Sequence, residues 1–301
     1  MNNVRSLLDA RIPGLYAVIE KMLVEVEAQH NVQTGRASSE YLLEHSRRTA
    51  AIAIKIARLE EVDAFLPTLV TLFHDAGKFH EGKYHNDGLP EEERAALLAE
   101  KMLTDFRLER SAIGVVIEAL RAMYDERLPC NIPCRIAQDA DRLDKLGPMG
   151  VGAFFTRAAL RGRGLVDALV QSLSLELTHT LAAPQSMFTE SGKKLAAEQT
   201  GKTIAFFDQL LEQLESWGIA SFERRSIFLD EDFPTRSGTF VRGREVSLAM
   251  LRACPDCQGP LALTHRLEQD LKRVRSVFVA RFQCGGCSYV AETRLAMPVL
   301  A

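Results

Sequence analysis

Two histidines and two aspartates in the first half of the chain are the residues whose types could do chemistry together. His74 and Asp75 are adjacent within Phe73–Lys78, while His45 lies upstream and Asp141 lies downstream. Imidazole nitrogens and carboxylate oxygens form a mixed ligand set that suits a hydrolytic transition metal. The four residues therefore predict a metal site, provided that the fold brings their side chains together.

Each of these residues has a simpler interpretation when it is taken alone. His45 lies on a predicted helix at 40–60, and a single histidine on a helix face is more often a structural residue. Asp139, Asp141 and Asp144 form an acidic triplet, which usually marks a solvated face. Asp141 and Asp144 nevertheless share one face of a helix, because they are three positions apart.

The order His45, His74–Asp75, Asp141 resembles the pattern that names the HD superfamily of metal-dependent phosphohydrolases. The resemblance covers about residues 20–217. Its flanking segments are Glu44–Ala50, Leu72–Lys78, Asp139–Gly147, the glycine-rich Gly147–Gly152 typical of one bacterial branch, and Met187–Lys194. It implies an all-helical bundle that carries one divalent metal, which would be Mn, Co, Fe, Ni or Mg, on those four residues.

The resemblance also implies a phosphorylated, nucleotide-like substrate, with three further residues as candidates for catalytic roles. Lys78 follows Asp75 by three residues, and Arg48 follows His45 by three, so either cation could contact a phosphate oxygen. Asp144 is a candidate general acid or base. The alternative for both cations is an exposed position with no ligand.

Some members of the superfamily hold a second metal on two further histidines. His85 and His80 are the candidates here, with His85 preferred. A partner histidine is expected near Met123–Tyr124 and is absent from the sequence. This departure disfavours a dinuclear site and the oxidative di-iron chemistry that would require one.

The cysteines near the carboxyl end predict a second kind of metal site. The pairs Cys254/Cys257 and Cys284/Cys287 are two Cys-x-x-Cys knuckles separated by 26 residues. Four thiolates at this spacing suit a tetrahedral structural zinc, and the pattern resembles a zinc ribbon. Cys130 and Cys134 are spaced wrongly for a redox pair and are expected to be buried cysteines at the start of a helix.

Two roles for the ribbon remain open. Residues 218–301 contain 12 basic and 9 acidic residues, and Phe278, Phe282 and Tyr289 could stack on single-stranded nucleic acid. The alternative is a solvated ribbon that docks on its own helical domain or on a partner protein.

The elements that must position these residues are mostly helical. Apolar residues recur at helical spacing from about 5 to 217, after which 218–249 is less periodic and 250–301 contains short strand patterns. We therefore predict a mainly α fold: an HD-type helical bundle at 1–217 and a small β zinc-ribbon domain at 250–301, joined by an irregular linker at 218–249. Trp217 is expected to close the helical core.

Composition narrows the class of protein. The 301 residues include 37 basic and 40 acidic side chains, and the net charge of −3 gives no reason to expect tight non-specific binding to nucleic acid. No apolar run approaches the ~20 residues of a membrane span, and the first residues do not form a secretory signal. We expect a cytoplasmic protein with no membrane partner.

Three functional hypotheses follow. The first is a metal-dependent phosphohydrolase that cleaves a phosphomonoester or phosphodiester. The second is a catalytically reduced scaffold whose zinc ribbon binds nucleic acid or a protein. The third is di-iron oxidative chemistry, which the missing histidine disfavours.

Overall fold

The computed structural model describes residues 2–35, 40–80, 83–84, 88–123, 125, 128–235, 238–270 and 275–300. In this part of the chain the helices are α1 (Asn2–Asp9), α2 (Leu15–Thr34), α3 (Tyr41–Leu59), α4 (Phe65–Phe73), α5 (Glu91–Asp105), α6 (Arg110–Ala122), α7 (Ile132–Leu143), α8 (Gly147–Leu160), α9 (Leu165–Ser186) and α10 (Glu190–Ser216). The strands are β1 (Phe79–His80), β2 (Lys83–Tyr84), β3 (Phe222–Pro234), β4 (Phe240–Leu251), β5 (Leu261–Asp270), β6 (Arg275–Cys284) and β7 (Val290–Ala296). The predicted fold class, mainly helical with small sheets near the carboxyl end, is confirmed.

The chain divides into two compact units. The first unit comprises Met1–Asp144 and Met187–Gly192, and the second comprises Lys145–Ser186 and Lys193–Ala301. Helices α8 to α10 thus group with the strands that follow them. The predicted domain bounds, 1–217 and 250–301, stay a prediction.

Helix α4 lies at the centre of the first unit. Every residue from Phe65 to Phe73 other than Leu66 is buried, which is expected of a helix that is apolar on all sides. Two buried threonines satisfy their hydroxyls locally, because Thr68 donates to the carbonyl of Ala64 and Thr71 donates to the carbonyl of Pro67. Helices α3 and α7 both pack against α4 and against each other.

A glycine sets the close approach of the loop after α4 to helix α5. A Cβ added at Gly77 would lie 2.0 Å from the carbonyl oxygen of Glu91. The buried guanidinium of Arg94 donates to the carbonyl of Gly77 and holds this contact. Gly77 therefore permits the chain to leave the end of α4 along a path that no larger residue could follow.

The second unit has two hydrophobic clusters. The first joins the helices to the start of β3 and the end of β4, with Leu173, Phe207, Leu211 and Phe222 among its members. The second lies between the β3–β4 ribbon and the β5–β6–β7 sheet; its members include Leu229, Phe233, Val246, Phe278, Phe282 and Leu295. All of the strand pairs are antiparallel.

Helix α9 covers one edge of strand β4 with two hydroxyl side chains. The Ser174 hydroxyl accepts from the backbone N–H of Ala249 at 2.9 Å and donates to its carbonyl at 3.1 Å. Thr178, one turn further on, makes the same two bonds to Ser247 at 3.2 Å. A strand edge that would otherwise present unpaired backbone groups is thereby satisfied by a helix.

The predicted linker at 218–249 is wrong in its local structure. Residues 222–234 and most of 240–251 form a long antiparallel ribbon with a register shift between Leu229 and Asp232. Much of β3 is exposed, so its sequence lacks the strict alternation of a half-buried strand.

One smaller expectation is wrong and another is confirmed in part. Trp217 does not close a core, because it is 69% exposed beyond the end of α10. Cys134 is buried at the start of α7, as expected, and it forms a disulfide with the half-buried Cys130, with 5.5 Å between their Cα atoms.

Candidate metal centres

The histidine–aspartate site consists of His45, His74, Asp75 and Asp141. His45 lies on α3, His74 and Asp75 follow directly at the end of α4, and Asp141 lies on α7. Because these three helices pack against one another, residues far apart in sequence meet in the interior. The structure thus brings together all four residues that the sequence singled out as ligands.

The ligand atoms of the site lie close together. Nε2 of His45 is 3.2 Å from Nε2 of His74, 3.3 Å from Oδ2 of Asp75 and 3.4 Å from Oδ1 of Asp141. None of the four residues is more than 6% exposed. His45, His74 and Asp141 each offer one ligand atom, and these three atoms lie within 4.8 Å of one another.

Hydrogen bonds to the other ring nitrogens determine which way the imidazoles are presented. Nδ1 of His74 donates to the carbonyl of Thr71 at 2.7 Å, and Nδ1 of His45 is 2.8 Å from Oδ2 of Asp144. With Nδ1 as the donor, Nε2 of each neutral ring carries a lone pair. Two lone pairs that face each other at 3.2 Å are suited to a shared cation.

The carboxylates of the site also favour a bound cation. Oδ1 of Asp75 is buried and accepts no hydrogen bond from the described residues. A buried carboxylate oxygen without a donor is costly unless a cation compensates it. Two imidazole nitrogens and two carboxylates are a donor set that suits a divalent transition metal, so the residues present fit such an ion.

The charges of the site shift several pKa values. Burial opposes protonation of His45, but Asp141, Asp144 and Asp75 raise its pKa well above the usual value. Burial lowers the pKa of His74. Burial also opposes ionisation of Asp75, yet His74, Lys78 and His45 hold its pKa well below the usual range. In the metal-free protein the cluster therefore contains ionised carboxylates that attract a proton or another cation.

Lys78 adjoins the site, as the sequence predicted. Its ammonium contacts Oδ2 of Asp75, and its side chain is 29% exposed. Burial opposes the charge of Lys78, but Asp75 raises its pKa, so the side chain remains an ammonium.

Arg48 and Asp144 lie near the site but are arranged differently from the predicted catalytic roles. Arg48 donates to both carboxylate oxygens of Asp144, with distances of 2.7 and 3.0 Å. Asp144 is fully buried, and although burial favours its neutral form, His45 and Arg48 lower its pKa. A group that stays ionised and inaccessible is poorly suited to proton exchange with a substrate.

Sequence reasoning missed a carbonyl that orients His74 and, apart from the metal site, the role of a buried carboxylate on α7. Thr71 supplies the carbonyl that orients His74, and its position three residues earlier on α4 is the only sequence signal for it. Asp139 is buried and accepts from the backbone N–H groups of Phe188 and Thr189 and from the Thr189 hydroxyl. It thereby ties α7 to the segment that connects α9 with α10.

The candidates for a second metal are only partly described. His85 lies outside the described residues, as does Tyr124. For His80 the structure describes the backbone pairing with Lys83 in the β1–β2 hairpin. A second metal on His80 and His85 stays a prediction.

The four-cysteine site consists of Cys254, Cys257, Cys284 and Cys287. Sγ of Cys254 is 3.5 Å from Sγ of Cys287, and Sγ of Cys257 is 3.4 Å from Sγ of Cys284. All four sulfurs lie within 4.8 Å of one another, which fits the tetrahedral coordination of zinc. The backbone N–H of Gly286 donates to Cys284 and lowers the pKa of that thiol to about 7, which favours the thiolate.

The side chains offered for nucleic-acid stacking are mostly in the core. Phe278 is completely buried, and Phe282 is 7% exposed. Of the nearby arginines, Arg266 and Arg294 both pair with Glu268, and both also lie near Glu292. Tyr289 is half-buried, so nucleic-acid binding by the ribbon stays a prediction that no longer includes the rings of Phe278 and Phe282.

Comparison with known proteins finds a family model that matches the segment containing the histidine–aspartate site. Residues 42–146 match the family model of the HD domain. The uncharacterized protein YpgQ of Bacillus subtilis (strain 168) is 28% identical over 174 residues, which cover 55% of this chain and 80% of YpgQ.

The solved structures that this chain resembles include the following two. A predicted HD superfamily hydrolase from an uncultured Thermotogales bacterium is 22% identical, with a TM-score of 0.48 over 68% of this chain and 96% of that chain. Bacillus subtilis YpgQ in complex with ADP is 21% identical, with a TM-score of 0.47 over 66% of this chain and 96% of that chain.

The match of residues 42–146 to the HD domain model confirms the resemblance seen in the sequence. HD domains bind divalent metals, and His45, His74, Asp75 and Asp141 all lie within the matched segment. Among the described helices, none combines the length and the apolar character needed to cross a bilayer.

Proposed function

We propose that the protein is a metal-dependent phosphohydrolase that cleaves a phosphomonoester or phosphodiester of a nucleotide-like compound. The observation that carries the proposal is the convergence of two Nε2 lone pairs and two carboxylates at one buried point. A divalent cation held by His45, His74, Asp75 and Asp141 would supply Lewis acidity, which lowers the pKa of water and polarises a phosphoryl oxygen.

The chain's own residues would bind and orient the substrate. Lys78 combines a permanent positive charge with partial exposure, so its ammonium can hold a non-bridging phosphate oxygen beside Asp75. The same contact balances the negative charge that the carboxylates concentrate in the interior. Substrate phosphate would thus meet one fixed cation from the protein.

The scaffold hypothesis has less support from the geometry. Burying two imidazoles beside two carboxylates costs free energy, and a purely structural domain gains nothing from this arrangement. Di-iron chemistry is disfavoured by the sequence, which lacks the second histidine expected near Met123–Tyr124.

Hydrolysis assays with Mn²⁺, Co²⁺, Ni²⁺, Fe²⁺ or Mg²⁺ would test the proposal on p-nitrophenyl phosphate, bis-p-nitrophenyl phosphate and a panel of nucleotides. We expect metal-dependent release of product by the wild type and at least a 100-fold loss in His74→Ala. The matched control is His179→Ala, because His179 is exposed on α9 and has no part in the site. Turnover retained in His74→Ala would contradict the site assignment.

A further inference from the structure

An ion pair stands one helical turn beyond two of the metal-site residues. Arg48 follows His45 by three positions on α3, and Asp144 follows Asp141 by three positions at the end of α7. Arg48 is bidentate on Asp144, with Nε 2.7 Å from Oδ1 and Nη2 3.0 Å from Oδ2. The pair therefore joins α3 to α7 directly behind the histidine–aspartate site.

The same carboxylate also holds the first histidine. Oδ2 of Asp144 accepts from Nδ1 of His45 at 2.8 Å. An ionised carboxylate can only accept a hydrogen bond, so Nδ1 must carry the hydrogen. Nε2 is then the nitrogen that faces His74, Asp75 and Asp141 with its lone pair.

We propose that Asp144, oriented by Arg48, is a positioning residue that sets the tautomer and the ring orientation of His45 for metal binding. In this role it neither touches substrate nor exchanges protons with it. The inference rests on the proposed function only through the metal, and it makes no use of the identity of the substrate.

Substitution of Asp144 by Asn removes the charge and introduces a donor. The new amide can present an N–H to Nδ1 of His45, which favours the opposite tautomer and leaves a hydrogen on Nε2. Partners of metal-binding histidines typically contribute 10–100-fold to metal affinity. We expect Asp144→Asn to weaken Mn²⁺ binding by about that factor.

The experiment measures Mn²⁺ affinity directly, by titrating metal-depleted full-length protein and following free Mn²⁺ by electron paramagnetic resonance. Asp139→Asn is the matched control, because Asp139 is equally buried on α7 but bonds to Phe188 and Thr189 and not to a ligand. His45→Ala lacks one ligand and gives the Mn²⁺ affinity of a protein whose histidine–aspartate site is broken. Zinc content and melting temperature are recorded for every variant.

The two variants should differ in Mn²⁺ affinity, which separates a positioning role from an effect on the stability of the fold. Asp144→Asn should lose affinity while Asp139→Asn loses melting temperature but binds Mn²⁺ within about threefold of the wild type. Equal affinity in Asp144→Asn and wild type, or equal weakening in both Asn variants, would overturn the proposal.

Arg48→Gln keeps the proposal testable if Asp144→Asn does not fold, since Arg48 is partly exposed. We expect weaker Mn²⁺ binding in Arg48→Gln, and no further weakening when it is combined with Asp144→Asn, because Arg48 acts through Asp144. Additive losses in the double variant, or no loss in Arg48→Gln, would contradict this.

The outcome is independent of the phosphohydrolase assay. Affinities in the expected order without any hydrolysis would support the positioning role and reject the proposed function. Hydrolysis by the wild type with unchanged Mn²⁺ affinity in Asp144→Asn would support the proposed function and reject the positioning role.

Discussion

The two candidate metal centres hold their ligands in different ways. At the histidine–aspartate site the ligands come from three packed helices and are buried, and the imidazoles are oriented by the hydrogen bonds that they donate to the Thr71 carbonyl and the Asp144 carboxylate. At the four-cysteine site the ligands come from two short knuckles, and Cys257 is exposed. Thiols form only weak hydrogen bonds, so little except a metal can hold four sulfurs together.

The two centres are expected to differ in whether their metal contributes to the stability of the fold. The helices of the first unit have a core of their own around α4, so the histidine–aspartate site is expected to persist without its metal. The knuckles lie in short turns closed by backbone hydrogen bonds, such as those from Cys254 to Gly259 and from Cys284 to Tyr289, and a metal on four thiolates would link the two turns, so it is expected to be part of the fold. The following predictions test this contrast.

Zinc removal should have the largest effect. We expect Cys257→Ser, or extraction of zinc by a strong chelator, to abolish the protection of amides around the knuckles and in β5–β7, because the metal contributes folding free energy there. Hydrogen exchange read by mass spectrometry measures this. The amides of α3, α4 and α7 serve as the internal control and should keep their protection. Unchanged exchange in β5–β7 would show that the sheet stands without zinc.

Loss of a ligand at the histidine–aspartate site should remove its metal but not the fold. We expect Asp75→Asn to lose detectable Mn²⁺ while its melting temperature stays within about 4 °C of the metal-depleted wild type, which is roughly 1 kcal/mol for a chain of this size. Metal analysis and calorimetry on the same samples check both parts. Global unfolding of Asp75→Asn would erase the contrast between the two centres.

Loss of the Thr178 hydroxyl, which covers the edge of β4, should have a moderate effect on local stability. Thr178→Val leaves the backbone N–H and carbonyl of Ser247 without partners, which costs about 1–3 kcal/mol. We expect exchange of the Ser247 amide to accelerate by about 5- to 100-fold. Thr156→Val is the control, since Thr156 is exposed on α8 and bonds only within its own helix. Equal exchange in the two variants would argue against the role of Thr178.

The smallest effect concerns a largely buried carboxylate whose charge is balanced by an arginine side chain and not by a metal. Glu176 on α9 pairs with Arg157, yet burial outweighs this contact and raises the pKa of Glu176. A raised carboxyl pKa means that the folded state binds the proton more tightly, so this group lowers stability as pH rises through its folded pKa.

Glu176→Gln cannot titrate, so we expect its stability relative to the wild type to improve from pH 4 to pH 7. Urea unfolding at the two pH values measures this difference. A relative stability that falls over the same interval would mean that the Arg157 contact dominates.

Sequence patterns predicted the ligands better than the elements between them. The histidine–aspartate order and the paired knuckles carry their chemistry in residue type and spacing, and the structure brings both sets together. The strands at 222–251 were predicted to be a linker because β3 is largely exposed and its burial does not alternate. Trp217 was expected in a core because of its size, although it lies in solvent.

The roles of the residues next to the ligands depended on the tertiary structure. Spacing showed that Arg48 and Asp144 each lie one turn beyond a ligand, and both were therefore predicted to act on substrate. Only the packing of α3 against α7 shows that these two side chains face each other and that His45 completes the group. Residue type and periodicity determine what a side chain can do and on which face of its helix it lies. Which faces meet is decided by the packing of whole helices, because that packing is a property of the complete core.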